Sequence, residues 1–477
     1  MYIGVNNIAR ESKNASVGVN GQARKIKAIY VGVNGVARLV CNFAKNIYTK
    51  FTKYYLATKS DSHFVNSVSG SGWASASALW VDPVPSEREG NAFYHVLDSS
   101  MQLVSDNSSD YYNYLTKATL DENGNVEDFK KVEVGGGYSW TDYSGSYGYN
   151  RTTPVNVVEM GKDLAMFFYR RDYQSSSEST QTPGYKVVDM NTETILYDKY
   201  DNTLEVRNSV CFADNVVVTA AKNSYAILTL IRFNGTTTTE QQYRIRLSGY
   251  DATIIDNNPC KVVKLDDHKG FFIAQLYVWA YREGTEIKGT FICPFTLSAD
   301  YSSINLGTPV QAPTISYHTV GVNGTFGYNK NCAISVSTSQ TNSNDSYYKD
   351  VYIDFITVDD NLNLTFNYAY RSEYNQIYSG MSTAIQLGKS NVLLMSCGRK
   401  DYGFYKFTIG DNYSVTYDGE IEPEVNNINS SDVKYKSGLR TSLLNGQVIN
   451  SGAYADTYVA NTYRHDIYSH IVTMIFK

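Results

Sequence analysis

Lys162-Asp163-Leu164-Ala165-Met166-Phe167-Phe168 sets the pattern of this chain: a polar turn signal runs straight into a short apolar stretch. Asp214-Asn215 before Val216-Val217-Val218 repeats it, and so does His268-Lys269-Gly270 before Phe271-Phe272-Ile273. Asn329-Lys330-Asn331 before Ala333-Ile334-Ser335-Val336, Ser390-Asn391 before Val392-Leu393-Leu394-Met395, and Asn445-Gly446 before Val448-Ile449 extend the series. Successive members lie roughly 50 to 60 residues apart. Asn, Asp and Gly favour turns because they tolerate left-handed backbone and bond to it locally. The runs that follow are too short for helices and rich in β-branched and aromatic residues, so they read as strands.

A second series falls between the first: Asn123-Gly124, Asn191-Thr192, Asn234-Gly235, Asp300, Asn361 and Asn412. With Glu89-Gly90-Asn91 added at the start and His465-Asp466 at the end, each series reaches seven. Two turns per unit imply about four strands per unit, and four-stranded sheets repeated radially are the blades of a β-propeller. Closing such sheets into a ring also removes exposed strand edges. The expected fold is therefore all-β: a seven-bladed propeller over 43–477 preceded by a short hairpin arm over 1–42. Tyr468–Phe476 and Asn46–Thr58 are the natural partners for a ring-closing blade. A pair of β-sandwiches is the alternative architecture, and six or eight blades also fit the spacing.

The arm is a repeat. Ile3-Gly4-Val5-Asn6-Asn7-Ile8-Ala9-Arg10 returns as Val17-Gly18-Val19-Asn20-Gly21-Gln22-Ala23-Arg24 and as Val31-Gly32-Val33-Asn34-Gly35-Val36-Ala37-Arg38. The glycines at 4, 18 and 32 stand 14 residues apart each time. Self-similarity at a fixed period marks a repeated structural unit. Asn20-Gly21 and Asn34-Gly35 tolerate the positive φ angles of a type I′ turn, so each unit reads as a hairpin. Two short strands alone are at best marginally stable in water. The arm therefore needs a surface to pack on, and Gly4, Asn6, Gly18, Asn20, Gly21, Arg24, Gly32, Asn34, Gly35 and Arg38 are its candidate assembly residues.

Tyr30–Arg38, preceded by Arg24-Lys25-Ile26-Lys27-Ala28-Ile29, resembles repeats in tail-associated proteins of phages that infect gut and Gram-positive bacteria. The resemblance covers about residues 1–42, and Asn7 departs from the glycine of the other copies. It implies a virion structural protein of the tail or baseplate, made in the bacterial cytoplasm. On that basis the arm anchors the chain to other virion proteins, and the body contacts a host-surface glycan or protein. A purely structural decoration or adaptor role for tail or capsid is the alternative, and a polysaccharide depolymerase is the third. Interlocked hairpins around a threefold axis would give a homotrimer.

Charge divides between the two parts. Residues 1–50 hold eight Lys and Arg against Glu11 alone, giving +7, whereas the remaining 34 basic and 46 acidic residues give −12. A basic arm suits an acidic partner surface. Nucleic acid is not expected, because the acidic body is repelled by phosphate backbones. Cysteines at 41, 211, 260, 293, 332 and 397 show no metal-like spacing and read as reduced, mostly buried thiols. No secretory signal and no membrane-spanning apolar run is legible.

Tyrosine is abundant, 42 of 477 residues. Two Gly/Ser-rich stretches concentrate it with tryptophan: Val65–Trp80 carries Trp73 and Trp80, and Gly135–Asn150 carries Trp140 with Tyr138, Tyr143, Tyr147 and Tyr149. Both read as adaptable loops with rigid aromatic anchors, a composition suited to recognition. Trp73, Trp80, Tyr138, Trp140, Tyr143 and Tyr147 are the candidate ligand-binding residues. The chain carries no phosphate-binding glycine loop, no HExxH and no nucleophile elbow. Its acidic residues fall mainly at turns, so no catalytic residue, metal or cofactor is expected.

Overall fold

A computed structural model describes the strands within 2–76 and 440–476. Between 84 and 424 it describes everything except 90–91, 104–108, 121–125, 142–145, 201–204, 223–224, 256–259, 281–284, 315–319, 323, 340–347, 373–376, 379–383, 387–391 and 397–403. The described chain is all-β and almost entirely antiparallel, with one short 3-10 turn at Asp411–Tyr413. No described helix is long and apolar enough to cross a membrane.

The body is a succession of meanders. Tyr147–Gly161, Leu164–Gln174, Ser179–Asp189 and Thr194–Tyr200 pair in chain order. Glu205–Ala213, Val216–Lys222, Ala226–Phe233 and Thr238–Arg244 do the same. The order recurs in Cys260–Lys264, Lys269–Ala280, Thr285–Leu297 and Ile304–Leu306. It recurs again in Thr325–Asn329, Cys332–Ser339, Tyr348–Val358 and Leu364–Arg371. Val84–Pro85, Ala92–Leu103, Ser109–Leu120 and Val126–Thr141 precede these, and Ala384–Gln386, Val392–Ser396, Phe404–Ile409 and Val415–Glu424 follow.

The turns explain the meanders. Asp163 and Asn215 adopt φ of 59° and 65°, a left-handed backbone that Asp and Asn accept at small cost. Asn234 Oδ1 accepts from the backbone N–H of Thr236 and Thr237, and Asp359 Oδ1 accepts from those of Asn361 and Asn363. Each side chain replaces a backbone partner and so reverses the strand.

Neighbouring sheets pack face to face. Met166, Phe168 and Tyr185 meet Val217, Ile227 and Ile231 of the next meander. Phe212 and Leu228 meet Phe272, Phe291 and Phe295 of the following one. Farther along, Phe271 and Ile273 meet Ala333 and Ile356, and Ile334 and Phe355 meet Leu393 and Phe407. Burial of each such side chain contributes roughly 1.5–3 kcal/mol. The first strands also lie side by side: Val84–Pro85 beside Tyr147–Gly161, that beside Glu205–Ala213, that beside Cys260–Lys264, and that beside Thr325–Asn329. Arg440–Leu444 lies beside both Ala384–Gln386 and Val84–Pro85.

The last meander draws on both ends of the chain. Arg440–Leu444 pairs with Gln447–Ala455, which pairs with Arg464–Phe476. The fourth strand is Lys53–Lys59, paired in the order Phe476↔Tyr54 through Ile471↔Lys59. The expected partnership of the C-terminal strand with the segment ending at Thr58 is present. One expectation fails here. His465-Asp466 is no turn: both residues lie in the Arg464–Phe476 strand, opposite Val68 and Ser67. A fourth strand supplied from the N-terminus leaves no connection at that point for a turn to make.

The arm forms three hairpins, each paired within itself: Tyr2–Val5 with Ile8–Glu11, Ser16–Val19 with Gln22–Lys25, and Ala28–Val33 with Val36–Asn42. Register repeats with sequence. Gly4, Gly18 and Gly32 stand opposite Ala9, Ala23 and Ala37, and Arg10, Arg24 and Arg38 stand opposite Ile3, Val17 and Val31. Asn6, Asn20, Gly21, Asn34 and Gly35 lie outside the described residues.

Candidate functional site

In the tyrosine- and tryptophan-rich stretch 135–150, the described residues on either side of 142–145 are paired strands, where sequence reading expected a loop. Val126–Thr141 and Tyr147–Gly161 pair from Gly137↔Arg151 through Trp140↔Gly148 to Thr141↔Tyr147. Alternation of large and absent side chains drives this. A Cβ on Gly136 would meet the Tyr111 carbonyl oxygen at 2.6 Å, and one on Gly148 would meet the Trp140 indole at 2.5 Å. Glycine lets the backbones approach and lets the indole lie over its cross-strand neighbour.

Strand geometry sorts the aromatic residues onto two faces, because successive side chains point to opposite sides. On one face stand Tyr138 and Trp140, with ring centroids 5.5 Å apart, and Tyr173 lies 6.1 Å from Trp140. Asn150, opposite both Tyr138 and Tyr173, shares this face. Arg171 donates from Nε to Asn150 Oδ1 at 3.1 Å, and its Nη1 lies 3.5 Å from the Tyr200 hydroxyl. Tyr138 is 53% exposed and Tyr200 51% exposed, so the rings meet solvent.

The other face carries Tyr147 and Tyr149, 6.0 Å apart, and the Arg151 guanidinium. That group lies 4.9 Å from the Tyr149 ring centre and 5.3 Å from that of Tyr111. A cation held between two aromatic faces gains quadrupole attraction on both sides. Partial burial raises the Tyr147 hydroxyl above its ordinary value, and a hydrogen bond with Tyr111 adds to this. Tyr138 and Trp140 therefore form one surface, and Tyr147 belongs to another.

The remaining candidates scatter. Trp73 lies in the strand Gly72–Ala76, opposite Gln102, so this part of Val65–Trp80 is strand and not loop. Trp80 and Tyr143 lie outside the described residues. Arg151, Arg171, Asn150, Tyr173 and Tyr200 escaped sequence reading. The alternations Tyr147-x-Tyr149-x-Arg151 and Tyr169-x-Arg171-x-Tyr173 were the signal that marks them as strand faces.

The opposite end of Tyr147–Gly161 is a charged clasp. Glu159, nearly fully buried, accepts from Ser86 Oγ at 2.6 Å and from the Glu87 N–H at 2.7 Å, and it lies 3.3 Å from Arg88 Nη1. Arg88 continues to Asp214 of the following meander. Lys117 bridges Glu89 and Asp163. Every carboxylate here has a cation, an arrangement that holds turns together. Among the described residues no cluster of His, Cys, Asp or Glu has the makings of a metal site. Cys211, Cys260, Cys293 and Cys332 are buried thiols in no disulfide, and desolvation pushes the Cys293 thiol up to about 12.

No family model matches the chain, and no curated protein sequence matches it. Solved structures with a similar course include a Bacteroides uniformis protein named as a 6-phosphogluconolactonase, at 10% identity and a TM-score of 0.40, covering 72% of this chain and 84% of that one. The C-terminal WD40 domain of Sif2 aligns at 8% identity and 0.39, covering 90% and 100%. Chaetomium thermophilum Sqt1, bound to the N-terminus of ribosomal protein L10, aligns at 6% and 0.36, covering 68% and 97%. Scores this low assign neither a fold nor a function to this chain.

Proposed function

We propose that the chain is a non-enzymatic virion protein of a tailed phage or a related particle. Its body is a seven-bladed β-propeller that binds a host-surface glycan. Support for the architecture comes from strand order: seven four-stranded meanders can be traced from Val84 to Phe476 with Lys53–Lys59 as the last outer strand. Side-by-side first strands and a terminal strand shared between the chain ends fit radial closure.

The observation that carries the binding role is the strip of exposed Tyr138 and half-buried Trp140 and Tyr173 beside Arg171 and Asn150. Flat aromatic faces flanked by fixed polar groups suit the apolar faces and hydroxyl edges of sugar rings. The triplicate hairpins support attachment to other virion proteins, since each buries little on its own. Antibody raised against residues 53–477, viewed by electron microscopy on particles from a producing culture, tests the reading. Label at the distal tail tip is the expected result. Label along the tail or on the capsid would replace host recognition with a structural role, and unlabelled particles would remove the virion assignment.

A further inference from the structure

On the glycan-binding reading above, we propose that the Tyr138–Trp140 face selects an anionic sugar polymer, with the Arg171 guanidinium holding the oxyanion. The argument begins with who pairs with whom. Arg88, Arg170, Arg207, Arg244, Arg246 and Arg371 each meet a carboxylate within 4 Å. Arg171 is exposed, and its contacts among the described residues are the neutral Asn150 amide oxygen and the Tyr200 hydroxyl. Where residues 51–477 carry a net charge of −12, an arginine turned to solvent beside neutral groups stands apart.

Those contacts also fix the polarity of the site. Guanidinium can only donate, so Asn150 must present its oxygen to Arg171 and is left with its NH2 for a ligand. The Tyr200 oxygen faces Arg171, and its hydroxyl also bonds with that of Tyr169. Arginine keeps further N–H groups in a planar fork that matches a carboxylate or phosphate. The site thus offers donors from Arg171 and Asn150, and the Asp198 carboxylate on the same face is held by Tyr169 and Lys186. Tyr173 follows Arg171 at i+2 on the same face, roughly 7 Å along the strand, about the span of one pyranose ring. A sugar stacked at Trp140 and Tyr173 therefore brings its charged substituent to Arg171.

Binding of the full-length chain to immobilised polygalacturonate, to its fully methyl-esterified form and to a glycerol phosphate polymer tests this. The parent protein should bind polygalacturonate at least tenfold more tightly than the ester. Arg171→Gln should lose at least tenfold on the acid and change binding to the ester less than twofold. Trp140→Ala should weaken both. Preference for the glycerol phosphate polymer, lost in Arg171→Gln, supports the same oxyanion site with phosphate as its source. Equal binding of acid and ester, no effect of Arg171→Gln, or binding to none of the three overturns the proposal. Where acid and ester bind equally or Arg171→Gln has no effect, weakening of both by Trp140→Ala leaves glycan recognition standing, and only its charge selectivity falls.

Discussion

At Gly148 a methyl group would meet the Trp140 indole at 2.5 Å and the Gln174 carbonyl oxygen at 2.9 Å. The indole can rotate away, but the carbonyl belongs to a paired strand and cannot. Gly148→Ala is therefore expected to cost about 1–3 kcal/mol and to displace Trp140. Thermal unfolding reads the first effect. Near-UV circular dichroism reads the second, and the change should vanish in a Trp140→Phe background.

His95 makes a second prediction at this scale. It is fully buried in the Ala92–Leu103 strand, and desolvation lowers its imidazole from the ordinary 6.5 to about 4. The unfolded chain then binds a proton that the folded chain refuses between those values. Stability from this group is complete above pH 6.5 and falls as pH drops toward 4, by about 3 kcal/mol. Denaturant titrations at pH 7 and pH 4 should show this loss in the parent, and His95→Gln should reduce it. Equal slopes for both would place the acid sensitivity elsewhere.

Between elements, the Lys117 ammonium ties the Glu89 turn of one meander to the Asp163 turn of the next. Burial alone would lower its pKa, but hydrogen bonds to Asp163 and Glu89 outweigh that and raise it. Lys117→Met leaves two carboxylates facing each other without their cation and should cost about 3 kcal/mol. Urea unfolding measures it, and a loss below 1 kcal/mol would show that water replaces the ammonium at little cost. This clasp was not legible in the sequence, since its members lie 28 and 46 residues apart and meet only once the sheets stack. The turns were legible because each is a local matter of Asn, Asp or Gly hydrogen bonding to its own backbone. Local reading has limits even there. Val320-Gly321-Val322-Asn323-Gly324 spells the pentapeptide of Val17–Gly21 and Val31–Gly35, yet among the described residues Val320 and Val322 lie in no strand. Val320 and Val322 are buried, the Gly321 N–H donates to Ser335 Oγ, and the Gly324 carbonyl accepts from the Val336 N–H. Packing against Ala333 and Ile356 decides the outcome. The aromatic hairpin was misread for the same reason, because glycine-rich sequence suggests a loop until neighbouring strands occupy the space the glycines leave.

Across the whole molecule, the arm and the body differ in what holds them. Among the described residues the strands of 2–42 pair within their own hairpins, whereas Lys53–Lys59 is bound on both sides, antiparallel to Arg464–Phe476 and parallel to Glu422–Glu424. Removing residues 1–42 should therefore leave the unfolding temperature of the body within about 2 °C, since no described body strand loses a partner. Removing 464–477 should abolish the cooperative transition, because Gln447–Ala455 and Lys53–Lys59 would each lose one of two ladders and the sheet between them would be broken. A peptide spanning 464–477, added in trans, should restore part of it. Calorimetry of the two truncations separates these expectations. If loss of the arm destabilised the body as much as loss of the last strand, the basic hairpins would have to be folded against the acidic sheets of their own chain. They would then not be available to a partner, and the charge contrast between the basic arm and the acidic body would serve internal docking instead of assembly.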